Sequence, residues 1–428
     1  MKNLLYAVQV SNTTLVNGET KWLLRNDACL NLARGIISCL LEKDPDLFVY
    51  VKLPRSSDTI DCQDGYDILF EPHLRSRIAY ITHYIPISPV TSRFHFDIEE
   101  LMKHRSIFSE IDVMINDENT LTKNWNVFFD LIGNFVPIIS TNYFLDSPIA
   151  EKVKPRIRYY ERQMKSFINS DIAAFQCEAG RIEAFEAFEE LFKSTDLIKN
   201  WSVWGVGVHA GEILKAKKDP SEAFETPTVY FGNRITETAG RYTNYDKFAE
   251  AIGKVFMKYP ELKFEAVMLN PTRKASNEQL ELINRLSRGK VRVMSNDEKF
   301  SREDYLDFIN RSHVSVNLFV TEVHGGVTHA EAMLAGNVIV CPNINNYKTK
   351  FDRWSGYPFL VEDVDHTTNR INTDELAERI HDALLIKRDD GIRQKLIDLA
   401  YETESYEMAA VRILADIEHC MTIKKGIK

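Results

Sequence analysis

"NLFVTEVHGGVTHAEAMLAGNVIVCPN", residues 317–343, decides how the chain is read. An apolar run leads into a loop holding two adjacent glycines, Gly325 and Gly326; a short Ala-rich stretch then closes on Gly336 before a second apolar run. Strand, glycine turn, helix and strand in that succession form one βαβ unit of a parallel sheet. Adjacent glycines let the backbone approach a ligand closely and adopt positive φ, while the N–H groups of the following helix point at the same place. Such a turn suits a phosphate. The helix dipole adds only about 0.3 to 2 kcal/mol, so cations are expected too wherever a diphosphate is held. Thr328 and Glu331 have the spacing of a capping box, which would turn both side chains onto the helix's own N–H groups. The competing role for Glu331 is a carboxylate that accepts hydrogen bonds from a ribose diol beside bound phosphates. Gly336 fits a helix C-cap.

Outward from this unit the same alternation recurs. In the first half "LLYAVQV", "LFVYVKLP", "IAYITHYIPI", "IDVMIND", "VPIISTNY", "DIAAFQC" and "WSVWGVGV" read as strands, with "DACLNLARGIISCLLEKD" a helix that Asp27 would cap. From Glu212 to Pro227 the chain turns polar, "EILKAKKDPSEAFETP", and that is the domain boundary. Alternation restarts at "TVYFGNR". The expectation is an α/β protein of two Rossmann-like, doubly wound domains facing a cleft: residues 1–211, a linker at 212–226, and residues 227–404. Ligands of such sheets bind outside the carboxyl ends of the strands. There, after "TVYF", lie Gly232, Arg234 and Arg241, whose guanidinium groups would bind phosphates bidentately and stabilise a departing diphosphate. Lys247 belongs to the following helix surface.

Other glycines and acids carry less. Gly205, Gly207 and Gly211 in "WGVGVHAG" nearly spell a dinucleotide fingerprint, but the spacing is one residue too long. Asp44-Pro45-Asp46 and Asp363-Val364-Asp365 resemble paired metal-binding aspartates and sit where elements end, as solvated turns do.

Composition bounds the class. The chain has 428 residues, 44% hydrophobic and 27% charged, which suits a globular protein of two or three domains. No apolar run reaches the roughly 18 residues of a membrane span and the N-terminus lacks a signal-peptide pattern, so a cytoplasmic location is expected. Cys29, Cys39, Cys62, Cys177, Cys341 and Cys420 are scattered through mostly apolar segments and read as buried thiols. A formal charge of -9 argues against a chain built to coat nucleic acid. One basic stretch, Lys152 to Lys165, reads either as a solvated helix face or as a surface for a phosphate-bearing acceptor or an anionic membrane.

Taken in order, these segments resemble glycosyltransferases of the GT-B fold, in particular the retaining group that carries a Glu, seven residues, Glu pattern. The likeness covers the layout of the whole chain, and in specific residues it is confined to the second half, where Gly326 and Glu331-Ala332-Met333-Leu334-Ala335-Gly336 match the end of the pattern. It implies that Glu331 contacts the donor ribose and that Gly326 and Val327 contact the diphosphate through their backbone, with Thr328 beside them. The first Glu of the pattern would fall at Val323; the nearest carboxylate, Glu322, stands one residue earlier, so either Glu322 or His324 reaches the sugar. The family's Gly-Arg element is approximated by Gly232-Asn233-Arg234 and Arg241. Its His-Asp pair corresponds at most to Asp146, with His83 and His95 as other polar candidates. "SYEMAAVRILADIEHC", within 405–428, resembles the last helix of the fold, which crosses back to the first domain. The implied reaction moves a sugar from a nucleotide sugar, UDP-sugar first, to an acceptor hydroxyl with retention; no motif requires a metal or other cofactor.

A narrower resemblance, on Thr328-His329-Ala330-Glu331 and Lys350-Phe351-Asp352-Arg353, is to the T-even phage α-glucosyltransferases that act on hydroxymethylated bases in DNA. It would make modified DNA the acceptor, Lys154, Arg156 and Arg158 the acceptor-side cations, and the host cytoplasm the location. A saccharide acceptor, a nucleotide-sugar epimerase of the same fold and a non-catalytic nucleotide-sugar-binding protein are the other readings.

Overall fold

Residues 2–8, 10, 13–16, 19–22, 28–54, 69–83, 96–141, 159–194, 196–198, 200–205, 207–217, 222–233, 235, 243–270, 275–295, 301–320, 326–354, 356–365, 368–386 and 391–427 are described by the computed structural model. In the first half the strands are Lys2–Ala7 (β1), Thr13–Val16 (β2), Glu19–Trp22 (β3), Leu47–Pro54 (β4), Ile78–His83 (β5), Val113–Asn116 (β6), Ile138–Thr141 (β7), Ile172–Phe175 (β8) and Trp201–Val203 (β9). Seven of them form one parallel sheet in the order β5-β4-β1-β6-β7-β8-β9, while β2 and β3 pair as an antiparallel hairpin. The second half repeats the plan. Thr228–Phe231 (β10), Glu265–Asn270 (β11), Val291–Ser295 (β12), Val314–Val316 (β13), Val338–Pro342 (β14) and Leu360–Val361 (β15) form a parallel sheet in the order β12-β11-β10-β13-β14-β15. A short antiparallel pair, Val364–Asp365 (β16) and Arg370–Ile371 (β17), follows.

Both sheets start at the centre, wind to one edge, and return to the other side of the first strand. The winding direction therefore reverses between β1 and β6 and between β10 and β13, and the crevices at those two points are where such sheets take ligands. Helices cover both faces, so central strands such as β6, β7, β10 and β14 are buried along their whole length. Strands covered on both faces read as continuous apolar runs instead of alternating ones, which is how they show in the sequence.

The helices that matter here are Ala28–Lys43 (α1), Thr122–Ile132 (α2), Tyr159–Ile168 (α3), Glu178–Phe192 (α4), Ala210–Lys215 (α5), Tyr245–Lys258 (α6), Asn277–Ser287 (α7), Arg302–Arg311 (α8), Val327–Leu334 (α9), Asn345–Phe351 (α10), Thr373–Leu384 (α11), Gly391–Glu404 (α12) and Tyr406–Ile427 (α13). Serine begins two of them through full capping boxes, Ser276 with Gln279 and Ser301 with Asp304. On α6 an apolar stripe from Phe248 to Val255 faces inward, and Gly253 lies so close to α7 that a Cβ there would sit 2.3 Å from the Leu286 carbonyl oxygen. Helix α5 occupies the start of the segment expected to be a plain linker. Helix α13 lies along α1, and its Ala409, Ala410, Ile413, Ile417 and Cys420 complete the core under the first sheet.

"WSVWGVGV" is a strand only as far as Val203. Gly205 and Gly207, at φ +113° and +84°, then lead the chain alongside residues 403–406. Gly207 N and Val208 N donate to the Glu404 carbonyl at 3.1 and 2.9 Å, and Tyr406 N donates to the Val208 carbonyl at 3.0 Å. A Cβ on Gly205 would lie 2.4 Å from the Thr403 carbonyl oxygen, and one on Gly207 2.5 Å from the Tyr406 ring. The near-fingerprint of glycines thus serves a close crossing between the two halves. Beside it Lys350 and Glu404 form a buried ion pair.

Five of the six cysteines are buried free thiols, Cys29, Cys39, Cys177, Cys341 and Cys420; Cys62 lies outside the described residues, as does Asp27. Asp44 pairs with Lys2 at 3.0 Å and accepts from Asp46 N at 2.9 Å, and Asp363 takes Arg370 and Asn372, so both acidic pairs belong to local turn networks. Among the described residues no helix is long and apolar enough to cross a membrane.

Candidate donor site at the carboxyl edge of the second sheet

Helix α9 begins at Val327, with Gly326 in the N-cap position at φ +80° and ψ 159°. That backbone conformation is open essentially to glycine alone. Gly326 has no side chain to cap the helix, and among the described residues no side-chain cap is made to its first N–H groups. Thr328 and Glu331 therefore fall two positions too deep for a capping box, and both side chains go elsewhere. Thr328 Oγ1 donates to Asn233 Oδ1 at 3.1 Å, tying the start of α9 to the loop that leaves β10. Gly232, next to Asn233, packs under the same threonine, where an added Cβ would lie 3.8 Å from Thr328 Cβ.

Asparagine side chains fasten the loops along this edge. Asn270, the last residue of β11, accepts from Ile235 N at 3.2 Å, and Asn244 donates to the Leu318 carbonyl at 2.8 Å while pairing with Asn369. A side-chain amide can satisfy backbone groups that have left the ladder, so these residues let irregular loops stay buried. Asn233 is different. Its Oδ1 is taken by Thr328, but its buried Nδ2 donor has no hydrogen-bond partner among the described residues. Such a donor, beside a helix N-terminus, is suited to an acceptor-rich ligand such as a phosphate.

Glu331 is only 7% exposed in its side chain. Arg302 Nη1 donates to its Oε1 at 2.6 Å, and Tyr305 OH donates to its Oε2 at 2.9 Å. Arg302 and Tyr305 are three residues apart on α8 and so share a face. Arg302 Nη2 reaches on to Glu212 Oε2, at 2.8 Å, on α5. Burial raises the Glu331 carboxyl above its ordinary value, and the Arg302 charge with the two hydrogen bonds pulls the other way. Burial works against the Arg302 charge in turn, but Glu331 and Glu212 more than offset it and raise the guanidinium. Each carboxylate oxygen can accept about two hydrogen bonds, so Glu331 keeps acceptor capacity after binding both α8 residues. His329, two residues away, is fully buried against Tyr347 and Phe351, and burial holds it neutral.

Across the cleft the first sheet also ends in buried polar groups. Lys52 of β4 and Asn116, Asp117 and Glu118 at the end of β6 are all at most 7% exposed. Lys52 Nζ sits 5.6 Å from the centre of the Trp125 ring, and burial lowers its pKa to about 8 against the opposing charge of Glu118.

Of the residues expected at a donor site, Gly232, Gly326, Val327, Thr328 and Glu331 are gathered here. Arg234, Arg241, Glu322, His324, Gly325, Asp146 and His95, and the acceptor-side Lys154, Arg156 and Arg158, lie outside the described residues. Lys165, at the end of the basic stretch, is on α3 and pairs with Glu161 at 2.5 Å. Arg302, Tyr305, Glu212 and Asn233 were not singled out in the sequence. Arg and Tyr at i, i+3 on the helix that follows the edge strand β12 was the available signal.

No protein-family model matches the chain and no curated protein matches it in sequence. Solved structures do match. A glycosyltransferase from Rickettsia africae ESF-5 superposes with a TM-score of 0.63 at 13% identity, over 98% of each chain. The Anabaena protein HepE, solved in complex with UDP and glucose, gives 0.60 at 12% identity, over 98% of this chain and 100% of that one. The trehalose-6-phosphate protein of E. coli bound with UDP-2-fluoro glucose gives 0.63 at 11%, over 97% and 99%. Full-length superposition on these proteins gives the chain the two-domain GT-B fold expected from its sequence.

Proposed function

We propose that the protein is a nucleotide-sugar-dependent glycosyltransferase, with the donor bound at the carboxyl edge of the second sheet and the acceptor presented from the first. The observation that carries this reading is the start of α9: glycine-only backbone at Gly326, the Asn233 Nδ2 donor beside it with no partner among the described residues, and the buried Glu331 carboxylate one turn along. Diphosphate oxygens would accept from the Val327 and Thr328 N–H groups and from Asn233 Nδ2, and the ribose diol would donate to Glu331. Arg234 and Arg241 are proposed to neutralise the departing diphosphate, and His324 or Glu322, with Asp146, to face the sugar. The bond from the anomeric carbon to the diphosphate oxygen breaks as the acceptor oxygen bonds to that carbon, and the acceptor proton leaves with the diphosphate. Positioning and electrostatic stabilisation of the leaving group carry the rate. A donor built on UDP is favoured because HepE was solved with UDP and the E. coli protein with UDP-2-fluoro glucose. Retention rests on the resemblance from Gly326 to Gly336. The acceptor hydroxyl belongs to a saccharide or to a hydroxymethylated base in DNA.

The test is to incubate the protein with UDP-sugars and, in parallel, simple saccharides, plain DNA or hydroxymethylated DNA, and to follow UDP release and product. Acceptor-dependent release with the donor's anomeric configuration is expected. An altered sugar from donor alone would make the protein an epimerase, and binding without release would make it a binding module. Arg234→Ala should lower turnover roughly tenfold to a thousandfold, about 1.4 to 4 kcal/mol; unchanged turnover with intact folding removes Arg234 from the mechanism.

A further inference from the structure

We propose that Arg302 is the positioning residue for Glu331 and that, through Glu212, it ties the geometry of that carboxylate to the helix by which the chain passes from one sheet to the other. The inference rests on the reading of Glu331 as the ribose acceptor and adds what holds it ready. Three elements meet at Arg302. One arm of its guanidinium binds Glu331 of α9 and the other binds Glu212 of α5, at 2.6 and 2.8 Å. Helix α5 is itself anchored at the crossing, where Gly211 N donates to Glu407 Oε1 at 3.1 Å. A planar guanidinium bound at both ends fixes both carboxylates, which a lysine could not do.

The charge balance gives this arm a chemical consequence. Glu331 is packed among Tyr305 and Arg302 of α8, Tyr230 of β10 and Glu212 of α5. The two phenols stay neutral because burial raises their pKa, and the Glu212 charge pushes the Glu331 pKa up. Among the described residues Arg302 is the cation that opposes burial. A ribose diol needs an ionised acceptor. Without Arg302 the Glu331 pKa rises further, and the carboxyl becomes protonated at a higher pH than in the wild type.

UDP and 2′-deoxy-UDP, titrated calorimetrically between pH 5 and 8, separate the possibilities. Wild type should prefer UDP at least tenfold at pH 7, and the preference should fall with pH. Glu331→Gln should abolish it. Arg302→Met should cut it at least fivefold at pH 7 and move its acid limb to higher pH, Arg302→Lys should restore part of it, and Glu212→Gln should weaken it two- to fivefold. Thermal melting of each variant checks the fold. If wild type binds the two nucleotides equally, the ribose reading of Glu331 falls and the role of Arg302 falls with it. If Glu331→Gln loses the preference while Arg302→Met, or Arg302→Lys and Glu212→Gln where Arg302→Met does not fold, match wild type in ratio and pH dependence, the ribose reading stands and the Arg302 proposal is overturned.

Discussion

Replacing Gly326 by alanine tests the open helix start directly. At φ +80° and ψ 159° an L-residue costs about 1 to 3 kcal/mol. Its Cβ would also stand 3.3 Å from Phe319 Cε2, so the ring must give by a few tenths of an ångström. If the turn keeps its shape, that cost appears as lost stability. If it relaxes to negative φ, the Val327 and Thr328 N–H groups swing away from the ligand, and the cost appears as lost affinity. On the scale of about 1.4 kcal/mol per decade, 1 to 3 kcal/mol is roughly five- to 150-fold. Urea denaturation and calorimetric binding of UDP measure the two together. Gly336→Ala is the control, because Gly336 at φ +77° caps the other end of the same helix. It should cost about 1 to 2 kcal/mol of stability and leave UDP affinity unchanged. Gly326→Ala with wild-type stability and wild-type affinity would refute the assigned backbone strain, and equal loss of UDP affinity in both variants would refute its link to the donor.

Two further outcomes follow from buried charge. Glu404→Gln leaves Lys350, 2% exposed, without its counter-ion and should cost about 3 to 5 kcal/mol in urea denaturation, much of it recovered in the double variant Lys350→Met, Glu404→Gln; a double variant no more stable than the single one would exclude an uncompensated charge as the cause. Lys52 should release its proton near pH 8, about 2.5 below its ordinary 10.5, visible as a ¹³C shift of ε-labelled lysine. Since the unfolded chain holds that proton to higher pH, this group makes the fold more stable as pH rises from 8 toward 10.5, by about 3 kcal/mol in all. A Lys52 signal that moves only above pH 10 would show that the amine is not desolvated.

The two-sheet plan was legible because strands buried on both faces stand out as apolar runs and amphipathic helices separate them. The short pairs β2–β3 and β16–β17 carry no such contrast and were not read. Glycine is a degenerate signal: Gly326 and Gly207 both take positive φ, one at a helix start suited to phosphate and the other under the Tyr406 ring, and spacing alone cannot tell a ligand from a neighbouring chain segment. Thr328 and Glu331 had the spacing of a capping box, but the N-cap is Gly326, and that shift of two residues rotates both side chains off the helix end. Arg302 and Glu331 are 29 residues apart and Arg302 and Glu212 are 90 apart, so that linkage exists only once the sheet has brought α5, α8 and α9 together.

Helix α13 also bears on how the protein is made. The core beneath the first sheet includes Tyr406, Ala409, Ala410, Ile413, Ile417 and Cys420, and Asp416 accepts from Ser202 Oγ and Trp204 Nε1 at 2.6 and 2.7 Å. Residues at the start of the chain are therefore finished by those at its end. During translation the first half waits with one face of α1 uncovered until the second half and residues 406–427 have been made. A fragment cut at the polar segment after residue 211 would carry that same bare face, whereas a fragment of the first half supplied with 405–428 as a separate peptide has its missing layer.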